Sequence, residues 1–261
     1  MMRNILLLIS YDGNGYSGFQ VQENGVTVQG ILQEAISEIT CEESRVIPSG
    51  RTDAGVHATL QAVHFHTGKR ISARNILKGV NGKLPATIRI MDAREVPSDF
   101  HARRDVTRKW YTYLLFNDSV LPPFFKGYAW HIPHPILDLK QLQALAPSFK
   151  GRRDYKAFMG SGSSVTRTVR ELDLLEVTRV NDFVVITFSG KGFLKNMVRN
   201  ITGTLVDAAL GKISGEEIDD IFRSKDRRRA GRCAPGEGLY LSGVEYGKEV
   251  YKRPLPFFLD L

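Results

Sequence analysis

Apolar residues in this chain recur with two different periods, and the alternation between them predicts its elements. Residues 5–9 form an uninterrupted apolar run of the length of a buried strand, followed by Asp12, Gly13 and Gly15 as turn material. Thr27 is a fit N-cap, and beyond it Val28, Ile31, Leu32, Ala35, Ile36 and Ile39 fall on one face of a helix. Residues 60–67 alternate Gln61, Val63 and Phe65 against Ala62, His64 and His66, the period of a strand. Ser72 precedes a short predicted helix over 75–82, with Ile76, Leu77 and Val80 facing inward, and residues 88–91 predict a further strand. The first part of the chain therefore reads β-α-β-α-β.

In the second part, aromatic and β-branched residues predict a strand over 106–116, and Pro122, Pro123, Pro133 and Pro135 mark an irregular connection. A helix is expected near 139–146, then strands over 172–180 and 183–189 joined by the turn Asn181-Asp182. Leu194, Met197, Val198, Ile201, Leu205 and Ala208 share a helical face that ends at Gly211; Ser214 and Glu217 have the spacing of a capping box; residues 239–244 predict a last strand. The second part reads β-α-β-β-α-α-β. The expected fold class is α+β: two ferredoxin-like (RRM-like) halves, residues 1–105 and 106–261, sharing a mixed, mainly antiparallel central sheet. With no Gly/Ser-rich linker between them, they are expected to form one rigid body with a positively charged cleft near 102–105.

Composition narrows the class. The 261 residues hold 42% hydrophobic and 25% charged residues, which excludes collagen-like, low-complexity and disordered chains. The longest apolar run is too short to span a bilayer, and Cys41 and Cys233 are too far apart in sequence for a zinc or redox motif, so a cytoplasmic protein is expected. Lys and Arg number 36 against 28 Asp and Glu, a net charge of +8. That excess fits either a solvated basic surface or a footprint for polyanions. Two clusters bear on the choice without deciding it: the run at 223–232, and Arg103, Arg104, Arg108 and Lys109 beside Trp110, Tyr111 and Tyr113. Cations interleaved with aromatics suit phosphate neutralisation plus base stacking, the mode of RNA recognition.

The most unusual string is residues 49–58, a polar loop between a predicted helix and a strand, with Gly50 and Gly55 flanking Arg51, Thr52 and Asp53. Read from the residues alone it is either a turn in which Asp53 caps backbone N–H groups, or a loop-borne carboxylate acting as nucleophile or general base.

Gly50-Arg51-Thr52-Asp53-Ala54-Gly55-Val56-His57-Ala58 resembles the signature of the tRNA pseudouridine synthase A (TruA) family, in which the Asp is essential. Other segments agree in order: Tyr11-Asp12-Gly13 with Tyr16-Ser17-Gly18-Phe19-Gln20, Thr27-Val28-Gln29-Gly30, Phe100-His101-Ala102-Arg103 leading to Tyr111-Thr112-Tyr113, Phe193 to Asn200, and Ala234-Pro235 with Gly238-Leu239-Tyr240-Leu241. The resemblance spans essentially the whole chain. Phe19 stands where members often have Trp, and Lys195 where some have His.

The resemblance implies an isomerase that converts uridine to pseudouridine in the anticodon arm of tRNA, at positions 38 to 40, working as a homodimer with no metal or nucleotide cofactor and no membrane partner. It makes Asp53 the catalytic carboxylate, Tyr111 the residue that stacks on the uracil, and Arg199 the cation paired with Asp53. Arg51 would help to extrude the base, with Phe19, His57 and Arg103 as further substrate contacts, and Arg223, Arg227, Arg228, Arg229 and Lys195 would meet the tRNA backbone. The chemistry is consistent: a nucleophilic carboxylate must stay ionised, which a neighbouring guanidinium favours against desolvation, and the target base must leave its stack. Two rival readings remain at this stage. One is a non-catalytic tRNA-binding or folding factor with the same fold. The other is a metal-dependent hydrolase built on His57, His64 and His66, for which the sequence supplies no clear third ligand or carboxylate.

Overall fold

The computed structural model describes residues 2–252. The chain divides into two compact units, one formed by the residues up to Thr107 with the segment from Leu241, the other by Arg108–Tyr240. The last strand thus belongs to the first unit, although chain order assigns it to the second half.

The first unit contains β1 (Arg3–Tyr11), α1 (Val28–Thr40), β2 (Ile47–Pro48), β3 (His57–Thr67), α2 (Ala73–Lys83) and β4 (Ile88–Val96). β1 is sandwiched between antiparallel neighbours, with Ile5 opposite Phe65 of β3 and Leu6 opposite Arg94 of β4. Covered on both faces, it reads as a continuous apolar run rather than an alternation. β11 (Leu239–Tyr246) lies on the other side of β3 and pairs antiparallel with β12 (Glu249–Lys252), while β2 pairs with β3. Leu6, Leu8, Leu60, Ala62, Val106 and Val244 make one buried cluster of this unit.

Both of its helices begin where the caps predict. Thr27 Oγ1 accepts the Gly30 N–H at 3.3 Å, and Ser72 Oγ accepts the Asn75 N–H at 3.2 Å. α1 buries Val28, Leu32, Ala35 and Ile36, and α2 buries Ile76 and Val80; each large aliphatic among them contributes roughly 1.5–3 kcal/mol. β4 runs on past the expected Met91 to Val96. Its second half is charged because it is exposed, and Arg3 Nη2 meets Glu95 Oε2 at 2.7 Å there, which hides the strand from a hydrophobic pattern.

The second unit contains β5 (Arg108–Phe116), β6 (Trp130–His131), α3 (Leu139–Leu145), β7 (Gly151–Asp154), β8 (Val169–Leu172), β9 (Leu174–Val180), β10 (Phe183–Gly190), α4 (Met197–Ala209) and α5 (Gly215–Ser224). β10 pairs antiparallel with β5 and β9, and β6 runs parallel to β5, so the sheet is mixed and mainly antiparallel. The β9–β10 turn has Asn181 at φ 51°, as its sequence requires. The strand expected over 172–180 is two strands. β8 pairs with β7 in a separate ribbon, and the break falls at Asp173, whose N–H donates to Ser189 O at 2.8 Å and whose carboxylate takes Arg108 Nε at 3.1 Å.

α5 carries both hydrogen bonds of the capping box between Ser214 and Glu217. α4 starts at Met197, later than the apolar face from Leu194 implies, and is buried around its whole circumference. Its polar stripe, Asn200, Thr204 and Asp207, is covered by the chain at 227–232: Arg227 Nη2 donates to Asn200 Oδ1 at 2.9 Å, Gly231 N–H to Thr204 Oγ1 at 2.9 Å, and Arg232 Nε to Asp207 Oδ1 at 2.9 Å. Gly203 has to be glycine, since a Cβ there would lie 1.8 Å from the Arg232 carbonyl. No helix among the described residues is long and apolar enough to cross a membrane.

Candidate active site

Asp53 stands in the loop between β2 and β3, and hydrogen bonds on both sides fix the main chain of that loop. Ser49 N–H donates to Ala62 O at 2.8 Å and Gln61 Nε2 to Gly50 O at 2.9 Å. After Asp53 the chain turns through Gly55 at φ 73°, and Val56 N–H closes the turn on Asp53 O at 3.2 Å. Residues 11–19 brace the loop from beneath. The hydroxyls of Tyr11 and Thr52 are 2.7 Å apart and buried, and Phe19 N–H donates to Thr52 O at 3.1 Å. Gly18, at φ 94°, passes so close that a Cβ would lie 2.8 Å from Thr52 O. On this support Arg51 is exposed and Asp53 half-buried.

Phe19 and His57, both expected as substrate contacts, lie inside this brace. Phe19 is 0% exposed, its ring centroid 6.1 Å from that of Tyr11, and His57 is 2% exposed. His57 Nδ1 accepts the Gly13 N–H at 2.9 Å and lies 3.2 Å from Asp12 Oδ1. Both side chains pack within the brace with almost no accessible surface.

Arg103 is exposed on the loop that follows β4, and its N–H donates to His101 Nδ1 at 3.2 Å. The same loop is anchored to β3, because His64 Nδ1 accepts the Ala102 N–H at 3.1 Å. Burial first, and then the charges of His101 and His66, push the His64 imidazole down to about 4, so it is neutral at pH 7. That hydrogen bond accounts for its place on β3 without a ligand. Among the described residues, no group of three or more His, Cys, Asp or Glu is arranged to hold a metal ion.

In the second unit Tyr111 lies on β5, opposite Phe188 of β10, and is 7% exposed. Its ring meets Phe193 edge-on at 4.9 Å and 76°. Phe193 belongs to the segment that leads into α4, whose first turn carries Arg199. Arg199 Nε donates to Ala234 O at 2.7 Å, and Ala234 N–H returns to Arg199 O at 3.1 Å, so residue 234 fixes both the guanidinium and the helix start. Tyr113 Oη donates to Pro235 O at 2.7 Å, and burial pushes that phenol well above its usual range.

The basic residues divide. Lys195 is exposed, with Nζ donating to Ser161 O at 3.0 Å. Arg223 is paired with Asp220, and Arg228 Nη2 with Asp226 Oδ2 at 2.7 Å, while Arg229 is exposed. Arg227, expected on the tRNA backbone, is turned inward: beyond Asn200 it donates to the carbonyls of Ala230 at 3.2 Å and Gly231 at 2.8 Å. Its partners come from α4 and its own loop, which the density of charge in the run does not reveal.

The sequence pattern singled out neither Tyr11 with Thr52 nor Phe193. Only their places inside the strings 11–20, 50–58 and 193–200 could have flagged them.

A sequence profile described as tRNA pseudouridine synthase matches residues 7–105 and 145–247 of the chain. The chain is 42% identical over 245 residues to the tRNA pseudouridine synthase A of Thermoanaerobacter sp. (strain X514), covering 94% of this chain and 100% of that protein. It is likewise 42% identical, with the same coverage, to the protein of that name from Caldicellulosiruptor bescii. The tRNA pseudouridine synthase A 2 of Clostridium tetani is 40% identical over 248 residues, 94% of this chain and 100% of that protein.

Proposed function

The chain belongs to the tRNA pseudouridine synthase A family, and from that premise we propose that Asp53 is the carboxylate with which it turns uridine into pseudouridine. It is an enzyme of tRNA processing, an isomerase that binds tRNA. The reaction breaks the N1–C1′ bond, turns the base and joins C5 to C1′. Its atoms balance within one nucleotide, so neither oxidant nor energy source enters. What the protein must supply is an extruded base, a nucleophile held at one place, and a route for the proton that leaves C5.

Asp53 is suited to the second task because its backbone cannot drift. The observation that carries the reading is the brace beneath it, with the Tyr11–Thr52 hydroxyl pair at 2.7 Å and the close pass of Gly18. We assign Arg199 as its counter-cation, since a guanidinium stays charged and this one is fixed by Ala234 at 2.7 Å. Tyr111 is assigned to stack on the uracil, and its hydroxyl to take up the C5 proton. Arg51 and Arg103, both exposed, are assigned to the RNA around the extruded base. The same reading takes each unit as a ferredoxin-like variant, places the targets at positions 38 to 40, and makes the enzyme a cytoplasmic homodimer.

The test incubates unmodified tRNA with wild type and with Asp53→Asn, then maps pseudouridine by carbodiimide-dependent reverse-transcription stops. Stops at positions 38 to 40 with wild type only are expected, with tRNA binding kept by both proteins. Full activity in Asp53→Asn would remove it as nucleophile. Binding without stops in wild type would favour the non-catalytic factor.

A further inference from the structure

Several cations of the second unit have a carboxylate at short range, including four of the basic run that the sequence brings to the eye. Arg223 pairs with Asp220, Lys225 with Asp154 at 2.9 Å, Arg228 with Asp226 at 2.7 Å and Arg232 with Asp207 at 2.6 Å. Arg227 is turned onto α4, while Arg223, Lys225 and Arg228 stay exposed beside their acids.

Four other cations are set apart by where they gather. Arg167, Arg170, Lys191 and Lys195 form no ion pair among the described residues, although they stand together around the serine-rich loop 160–168. Arg170 Nη1 donates only to backbone, to the carbonyls of Arg167 and Val169, each at 2.8 Å. Its Nε lies 3.9 Å from where a Cβ of Gly192 would be, which sets it against the main chain next to Lys191 in sequence. Lys195 Nζ donates to Ser161 O at 3.0 Å and lies 3.7 Å from where a Cβ of Gly162 would be. Glu171, the nearest acid in sequence, stands opposite Arg152 in the β7–β8 ladder. Burial, and then the charge of Arg167, lower the Arg170 guanidinium below its usual value. Uncompensated positive charge at a partly buried position such as Arg170 is costly, and an arriving anion removes that cost, while the exposed Arg167, Lys191 and Lys195 remain open to it.

We propose that Arg167, Arg170, Lys191 and Lys195, with the serines of loop 160–168, form a phosphodiester site for the RNA strand that carries the target uridine. The proposal rests on the enzymatic reading above for the identity of that RNA. Lys191 and Lys195 bracket Phe193, whose ring lies edge-on against Tyr111 at 4.9 Å, so a phosphate held here is coupled through one side chain to the residue assigned to the base. Exposed Ser161, Ser164 and Thr166 add hydroxyl donors to the charge.

The test measures the Kd of unmodified tRNA over a series of salt concentrations for wild type, Arg167→Ala with Lys191→Ala, Lys191→Ala alone, and Lys83→Ala, which removes an exposed cation paired with Glu38 at 2.7 Å. The double variant should lower the salt slope by about 1.4–1.8, the single by about half of that, and Lys83→Ala not at all. KM should rise on the order of tenfold in the double variant, with kcat held. Equal slopes in all four proteins, each folded by circular dichroism, would overturn the site while leaving the enzyme assignment intact if wild type still forms pseudouridine. The expected slopes from a wild type that forms none would keep the anion site and overturn the enzymatic reading.

Discussion

The hydroxyls of Tyr11 and Thr52 lie 2.7 Å apart in the interior of the first unit, and Thr52 immediately precedes Asp53 in the chain. Removing one hydroxyl leaves the other buried without this partner, at a cost of about 1–3 kcal/mol. Tyr11→Phe should therefore lower stability by that amount in a denaturant titration. Because the pair holds the loop and touches no RNA in this reading, kcat should fall roughly tenfold while KM for tRNA stays put, a small displacement of a nucleophile being enough for that. Full kcat in this variant would mean that Thr52 does not position Asp53.

Gly18 tests the same brace from the other side. At φ 94°, with a Cβ 2.8 Å from Thr52 O and 3.2 Å from Ala54 N, Gly18→Ala forces backbone against backbone. Strain of about 1–3 kcal/mol is expected, with pseudouridine formation falling by more than tenfold. An alanine variant as active as wild type would show that the loop has slack.

His64 gives the stability a dependence on pH. In the folded chain its imidazole is pushed down to about 4 by burial and by His101 and His66, with Asp105 opposing them. A folded value below the unfolded one, about 6.5, means the unfolded chain takes up the proton first. The contribution is complete above about 6.5 and is lost as pH falls through about 4. His64→Gln keeps an acceptor for the Ala102 N–H that does not titrate, so the drop in Tm between pH 7 and pH 4.5 should be shallower than in wild type. Parallel Tm curves would place the acid sensitivity in other groups.

Arg227 separates structure from RNA contact in the basic run. Arg227→Ala strips hydrogen bonds from Asn200 and from the carbonyls of Ala230 and Gly231. Hydrogen bonds from a charged donor contribute about 1.5–3 kcal/mol each before relaxation, so a loss of about 2 kcal/mol overall is expected by chemical unfolding. The salt slope of tRNA binding should match wild type. A slope lowered by about 0.9 would return this side chain to the RNA footprint.

What the sequence made legible follows the range of the interactions concerned. Caps act over three residues, so Thr27, Ser72 and Ser214 could be read directly, and α1, α2 and α5 start where they say. The β7–β8 ribbon was hidden because its strands are four residues each and rich in charge, leaving no alternation to detect. The loop of Asp53 stood out through its own glycines, but the brace beneath it did not, since Tyr11 and Thr52 are 41 positions apart. Charge follows the same rule. The run at 223–232 is dense along the chain, yet two of its carboxylates, Asp154 and Asp207, come from well outside it, whereas the four cations near loop 160–168 are scattered and gather only when β8 and the start of α4 are in place.

Val244 of β11 is buried with Leu6, Leu8, Leu60, Ala62 and Val106, all of which precede it by more than a hundred residues. A ribosome exposes β1, β3 and Val106 early and must then synthesise the whole of Arg108–Tyr240 before it delivers the strand that completes their cluster. During that interval the first unit has an open apolar face next to β3, the kind of surface that recruits chaperones or other nascent chains. The described part of the later unit is contiguous in the chain and has no such wait. Vectorial synthesis would therefore let the second unit finish folding first, and truncation just before Leu241 should yield a chain whose N-terminal unit is sensitive to protease while Arg108–Tyr240 resists it.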